Sequence, residues 1–271
     1  MKALTQSVLA AAMLMALPFA SAEACNKNAW LGNTAAAAGA VAGGPRDAVP
    51  QPTYEARCSL ATSSGQFVTD DTPGAESVFR ARFAVFTGVS GGTAKVFRAT
   101  TADANGGTEV FSVDFTGSTF AFPGTGAAAV SGISANRWYQ VEVVNNRTAN
   151  TFEARVRGAG SDTVLTQSGA AAASDVGSAS LGFISGSATG GRVVVDAYES
   201  TRAPSTVIGF LCRGDTNIDG TRNVSDVIQV RNMAAGGNLV SGQADFNEDG
   251  NVNVTDVIQV RNVAAGAGAQ C

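Results

Sequence analysis

Residues 77–86 read SVFRARFAVF, and their alternation decides the class of the main body. Phe79, Ala81, Phe83 and Val85 fall on one parity, Val78, Arg80 and Arg82 on the other. A period of two with one apolar side describes a strand that has one wet face. The same alternation returns in EVFSVDF (109–115), RWYQVEVV (137–144), NTFEARVR (150–157) and GRVVVDAY (191–198). Turn-forming runs stand between them: SGG at 90–92, ANGG at 104–107, NNRTAN at 145–150 and TGG at 189–191. No helical period occurs among these strands, so the expected fold is mainly β, two antiparallel sheets packed face to face.

The chain has 271 residues, enough for that body and a second, small domain. Charged residues make up only 15% against 32 Gly, a balance that suits short strands and turns. Residues 31–52, LGNTAAAAGAVAGGPRDAVPQP, read as a long loop ahead of the sandwich. The net charge is −4, or −5 once Lys2 is removed, so there is no basic face and nucleic acid is not an expected partner.

The first 22 residues read as a signal peptide. Met1-Lys2 gives the positive start, VLAAAMLMALPFA the apolar run and Ala20-Ser21-Ala22 the small-residue cleavage pattern. The run is shorter than the roughly 20 apolar residues of a membrane span, so secretion without membrane insertion is expected. An oxidising compartment makes bridges the expected state of Cys25, Cys58, Cys212 and Cys271. Three pairings are open, and the positions favour Cys25–Cys58 with Cys212–Cys271. The expected organisation is a signal peptide at 1–22, a sandwich at 23–203 with a loop-rich start, a linker at 204–210 and a C-terminal module at 211–271.

The body resembles the laminin-G-like or concanavalin-A-like jelly rolls of secreted bacterial proteins. The resemblance is carried by RCSLAT and GQFVTDDTPGAESVFRARFAVF for the opening strands, NRWYQVEVV with TFEARVRG for a hairpin, and GGRVVVDAYES for a closing strand. It covers residues 54–202 and implies a jelly-roll β-sandwich. Such folds host sugar-binding modules, glycosidases and adhesive domains, so the fold alone names no activity.

Catalysis is restricted by composition. The chain has no histidine, which removes Ser-His-Asp and Cys-His arrangements and imidazole acid–base chemistry. A glycosidase of this fold needs two carboxylates about 5 Å apart on one strand face. The nearest candidates, Glu109 with Asp114 and Asp196 with Glu199, are an odd number of residues apart and are expected on opposite faces. No catalytic residue is therefore assigned. Trp138, Tyr139 and Tyr198 are candidates for a sugar platform, although adjacent Trp138 and Tyr139 must point to opposite faces.

The C-terminal module contains a duplication: GDTNIDGTRNVSDVIQVRN at 214–232 returns as ADFNEDGNVNVTDVIQVRN at 244–262. A calcium loop needs oxygen donors at positions 1, 3, 5, 7, 9 and 12 and a Gly at position 6. The first copy supplies Asp215, Asn217, Asp219, Gly220, the carbonyl of Thr221, Asn223 and Asp226. The second supplies Asp245, Asn247, Asp249, Gly250, the carbonyl of Asn251, Asn253 and Asp256. Two calcium ions are expected. After each loop VIQVRN predicts a helix, with Ser225 and Thr255 as caps and Val227, Ile228, Val230 and Met233 as a buried stripe.

An EF-hand would also have a helix leading into each loop, but TVIGFLCR and GGNLVSGQ stand there instead. Loop plus exiting helix, duplicated at thirty residues, resembles a type I dockerin over residues 211–271. The resemblance implies calcium-dependent docking to a cohesin-type domain through Val224, Ser225, Arg231 and Asn232 and, equivalently, Val254, Thr255, Arg261 and Asn262. Val224 and Val254 depart from the small polar residue common there. Three function classes follow: a non-catalytic secreted protein tethered by its dockerin, with a sandwich that binds glycan or serves as a structural module; a polysaccharide-active enzyme subunit; and a calcium-stabilised spacer without a partner.

Overall fold

The structure is a computed structural model and describes residues 41–43, 52–54, 58–102, 107–203, 207–237, 240–266 and 271. The signal peptide and Cys25 lie outside these residues. The strands are β1 (Val41–Gly43), β2 (Ser59–Thr62), β3 (Gln66–Asp70), β4 (Val78–Ser90), β5 (Ala94–Thr100), β6 (Glu109–Phe115) and β7 (Thr119–Ala121). They continue with β8 (Val130–Ser131), β9 (Trp138–Asn146), β10 (Thr151–Gly158), β11 (Leu165–Gly169), β12 (Ser178–Gly186) and β13 (Thr189–Thr201). Helices α1 (Val224–Ala234) and α2 (Val254–Ala264) close the chain.

The strands form two sheets, ordered β1-β2-β13-β4-β9-β10-β11 and β3-β12-β5-β6-β7-β8. Phe79, Phe83, Phe97, Phe111 and Phe152 fill the space between the sheets, with Phe83 stacked on Phe97 at 5.3 Å. The 77–86 alternation works as expected: its odd-numbered apolar residues point into this core, and Arg80 and Arg82 lie on the other face of β4.

Two local expectations change. Val41–Gly43, inside the expected 31–52 loop, pairs with Ser59–Ala61 as an edge strand. The TGG run lies within β13 rather than at a turn, because the glycines there allow close backbone contact: a Cβ on Gly191 would stand 1.8 Å from the Gly88 carbonyl oxygen.

The outer face of the seven-stranded sheet is also apolar in one region. Tyr54, Ala61, Ala84, Trp138 and Val194 form a second buried cluster, joined by Phe86 and Leu211. Residues 207–211 lie across this side. The Ile208 amide donates to Glu142 (3.2 Å), the Gly209 carbonyl accepts from Arg82 (3.3 Å), and the Phe210 ring lies near the Arg155 and Arg157 guanidinium groups. Leu211 pairs its backbone with the Gln140 amide through N–H (2.6 Å) and C=O (2.9 Å).

The loop–helix units share their own small core of Val230, Val240, Ala244, Phe246 and Val260. Val227 and Met233 pack on it, whereas Ile228 is 49% exposed and leaves the expected stripe. At 100° per residue, positions 227, 230 and 233–234 share a face and 228 turns away from it. The caps sit two residues earlier than expected. Asn223 and Asn253 are the N-caps, their side chains accepting from the amides of Ser225 and Thr255, and Asp226 and Asp256 complete a capping box in each helix.

Candidate metal centre

Each loop folds around its first aspartate. In the first loop Asp215 accepts amide hydrogen bonds from Asp219 (3.1 Å) and Gly220 (2.8 Å), and Asp219 accepts one from Thr221 (2.9 Å). Asn217 accepts from the Asp219 amide at 3.2 Å. Asp226, fully buried, accepts from the Thr216 amide and hydroxyl and from the Asn223 amide, each at 2.9 Å.

The second loop repeats the pattern. Asp245 accepts from Asp249 (3.1 Å) and Gly250 (2.6 Å), Asp249 from Asn251 (2.9 Å) and Asn247 from Asp249 (2.9 Å). Asp256 accepts from the amides of Asn247 (3.2 Å) and Asn253 (2.9 Å). Gly220 and Gly250 sit at φ +81° and +90°, so position 6 makes the left-handed turn that glycine permits without strain.

This donor set fits a hard divalent cation. Each loop offers only oxygen donors at the six positions, three of them carboxylates, which is the ligand chemistry of calcium rather than of a thiophilic or imidazole-bound metal. In the second loop the carboxylates work against one another when no cation balances them. Burial, and after it the charge of Asp256, pushes Asp245 up to about 8. Burial also raises Asp256, against the amide hydrogen bonds that favour its ionised form.

The two loops differ in what surrounds them. Ile218, at position 4 of the first loop, is 54% exposed, whereas Glu248, its counterpart in the second, is fully buried against the sandwich. Both adopt φ +60°. The Glu248 carboxylate accepts from the Tyr54 hydroxyl and from the Gly160 amide, each at 2.8 Å, and its backbone carbonyl accepts from the Trp138 amide at 2.9 Å. A Cβ on Gly250 would stand 2.9 Å from the Phe86 ring, and one on Gly220 would meet nothing within 4 Å.

Asp162 joins the sandwich to the first repeat as well. It takes Arg213 through two nitrogens at 3.0 Å each, with Arg222 at 3.5 Å and Arg157 at 3.9 Å. Burial opposes ionisation of Asp162, but the hydrogen bond and charge of Arg213, then Arg222 and Arg157, hold its carboxyl below the usual carboxylate range. Sequence reasoning did not single out Glu248, Asp162 or Tyr54. The one visible signal was that position 4 differs, Ile218 against Glu248, between repeats that otherwise agree closely.

The first loop is held from another side. Cys212 and Cys271 form a disulfide, as favoured from their positions. The Cys271 amide donates to the Gly220 carbonyl at 3.2 Å, and its sulfur lies 3.8 Å from an Asp215 carboxylate oxygen. Cys58 is also disulfide-bonded. Its expected partner, Cys25, lies outside the described residues.

The helix positions suggested for docking face outward. Val224 and Val254 are 70% and 67% exposed, and Arg231, Asn232, Arg261 and Asn262 are exposed beside them. Thr255 is exposed and Ser225 half-buried, while their amides close the cap hydrogen bonds.

On the sandwich, the parity argument about carboxylates fails twice because of bulges. Ala99 pairs with Phe111 and Thr100 with Glu109, so Val110 is an extra residue and returns Glu109 to the face of Asp114. Asp196 pairs with Ala84 and Glu199 with Arg82, so one extra residue, with Ala197 at φ +51°, puts both acids on the outer face. Three of the four acids are engaged, Glu109 by Lys95, Glu199 by Arg82 at 3.0 Å and Asp196 by the Tyr54 amide at 2.8 Å, while Asp114 lies opposite Lys95 and burial raises its carboxyl. The candidate aromatics Trp138, Tyr139 and Tyr198 form no common platform either. Trp138 is buried between Tyr54 and Phe86, Tyr139 lies in the main core, and Tyr198 packs against that core and donates to Asp70 at 2.9 Å.

No protein-family model matches the chain, and no curated protein matches it. Among solved structures, it is similar to a Trypanosoma rangeli sialidase in complex with sialic acid, at 16% identity and a TM-score of 0.38 over 57% of this chain and 26% of that one. A peanut lectin with a 9mer peptide gives 12% identity and a TM-score of 0.34, covering 57% of this chain and 92% of that one. An alginate lyase from Alteromonas sp. 272 gives 12% and 0.32, covering 60% and 86%. The chain thus spans about a quarter of the sialidase's length. These are likenesses of the sandwich and bring no ligand or reaction to this chain. No helix among the described residues is long and apolar enough to cross a membrane.

Proposed function

We propose that this is a secreted, non-catalytic protein whose C-terminal repeats bind two calcium ions and dock, in the manner of a dockerin, onto a cohesin-type partner. Its sandwich binds a glycan or serves as an adhesive or structural module. One observation carries the calcium reading: the same hydrogen bonds fold both loops around the same oxygen donors, down to the position 6 glycine. Asp215, Asn217, Asp219, Thr221, Asn223 and Asp226 would hold one ion, and Asp245, Asn247, Asp249, Asn251, Asn253 and Asp256 the other. Buried Asp245 and Asp256 would stay ionised beside each other with the positive charge that a bound calcium would supply.

The docking reading draws support from two nearly identical helix faces that stay exposed, each with a valine and an Arg-Asn pair. The engagement of Glu109, Glu199 and Asp196 in ion pairs or amide contacts supports the non-catalytic reading. A second reading, a calcium-stabilised cap without a partner, is favoured by the close fit of the second loop to the sandwich through Glu248. Capture separates the two readings. Immobilised cohesin-type domains should retain the mature chain in calcium and release it in chelator, and loss of helical circular dichroism should accompany release. Retention by no cohesin-type domain, with helix still calcium-dependent, selects the cap. Helix unchanged by chelator removes the calcium reading.

A further inference from the structure

We infer that the two calcium sites, although built from matching ligands, are set by different outside supports: the Cys212–Cys271 bridge positions the first, and the sandwich, through Glu248, positions the second. The inference rests on the calcium reading of the loops and goes beyond it by assigning each site its own control.

Residues that orient metal ligands without touching the ion govern affinity, because an unsupported loop must be ordered at the moment of binding. In the second loop the support enters at Glu248, between the ligand positions Asn247 and Asp249. Its two carboxylate oxygens and its carbonyl are all taken by sandwich donors, Tyr54, Gly160 and Trp138. Asn247 and Gly250 also press on the sandwich: a Cβ on Gly160 would stand 3.1 Å from the Asn247 carbonyl oxygen, and Gly250 abuts Phe86. The Tyr54 hydroxyl is itself fixed by the Gln140 amide at 2.8 Å, so the contact reaches into β9.

At Ile218 of the first loop the side chain faces solvent, and the sandwich reaches that loop at position 8, where Arg222 lies 3.5 Å from Asp162, rather than at position 4. That loop is tied instead at both ends of its opening turn. Cys212 precedes ligand Asp215 by three residues and its carbonyl accepts the Asp215 amide at 3.4 Å, while Cys271 holds the position 6 carbonyl. The bridge therefore ties together the start and the middle of one loop and leaves the other alone. Glu248 is a positioning residue for the second site, and the disulfide a positioning crosslink for the first.

The test measures calcium affinity of the full mature chain against a competing chromophoric chelator, with Asp226→Ala isolating the second site and Asp256→Ala the first. Glu248→Gln places an amide N–H₂ opposite donors where a carboxylate accepted them. It should weaken calcium about tenfold in the Asp226→Ala chain and less than about twofold in the Asp256→Ala chain. Tyr54→Phe keeps the ring against Trp138, removes the hydroxyl and should act in the same direction, which covers the case in which Glu248→Gln does not fold. Replacing the bridge by Cys212→Ser with Cys271→Ser, which leaves the Cys58 bridge intact, should do the reverse, weakening calcium in the Asp256→Ala chain and sparing the Asp226→Ala chain. Equal responses of both sites to either perturbation, with two ions still bound by the unaltered chain, would overturn the inference and leave the calcium reading intact. No calcium uptake by the unaltered chain would overturn the reading itself.

Discussion

Asp245 is buried, first in its loop and close to Asp256, and without a cation its ionised form is penalised in the fold. A carboxyl raised from its ordinary range to about 8 destabilises the folded state fully above the folded value. The penalty fades as the pH falls and is gone below the unfolded value. The raised Asp256 and Glu248, both mainly desolvated, act in the same sense, and the lowered Asp162 loses its contribution only in more acidic solution. In chelator, therefore, the repeats should keep more of their helical signal at pH 5.5 than at pH 8. With calcium just sufficient to saturate, the order should invert, because protons then compete with the ion. A chelated chain equally stable at both pH values would show that Asp245 is not buried as charged. The ligand residues themselves were legible in the sequence because a loop that needs oxygens at fixed positions leaves a fixed spacing. Glu248 was not, since one acid at a non-ligand position tells nothing until the sandwich that receives it is in place.

Alternation placed the strands, but bulges undid arguments that counted residues along them. Glu109 was assigned away from Asp114, and Asp196 away from Glu199, by a parity that Val110 and Ala197 each reset. An inserted residue leaves no mark in composition, so face assignments remain secure only within an uninterrupted ladder such as 79–85. At the helices the repeat spacing was legible and the cap was not, because Asn223 and Asn253 serve both as loop position 9 and as N-cap. Both helices present Arg231 or Arg261 on exposed faces after the same apolar residues. An arginine there can pair with a partner carboxylate through two parallel hydrogen bonds. If either helix can dock, Arg231→Ala or Arg261→Ala alone should weaken capture by only about twofold, the loss of one of two equivalent modes. The double variant should lose far more while folding normally with calcium. Abolition of capture by one single variant would show that only one helix docks.

For the whole molecule, the second loop and the sandwich share buried groups, so metal binding should be felt well beyond the loop. Tyr54 joins Glu248 to Gln140 and packs on Trp138 at 5.4 Å, and Asp162 ties the sandwich to Arg213 and Arg222 at the entrance and first loop of the repeats. A ligand bound only to the folded state stabilises it by about 2.7 kcal/mol at a hundred times its dissociation constant. For a chain of this size that corresponds to a rise in Tm of roughly 5–10 °C. The shift should appear in the near-ultraviolet circular dichroism of the buried sandwich aromatics and not only in the helical signal. Asp256→Ala, which disables the loop touching the sandwich, should remove most of the aromatic shift. Asp226→Ala, which disables the loop whose position 4 faces solvent, should leave most of it. If the aromatic signal instead melted at the same temperature with calcium and with chelator, the Glu248 contact would transmit nothing, and the repeats would be a passenger on the sandwich.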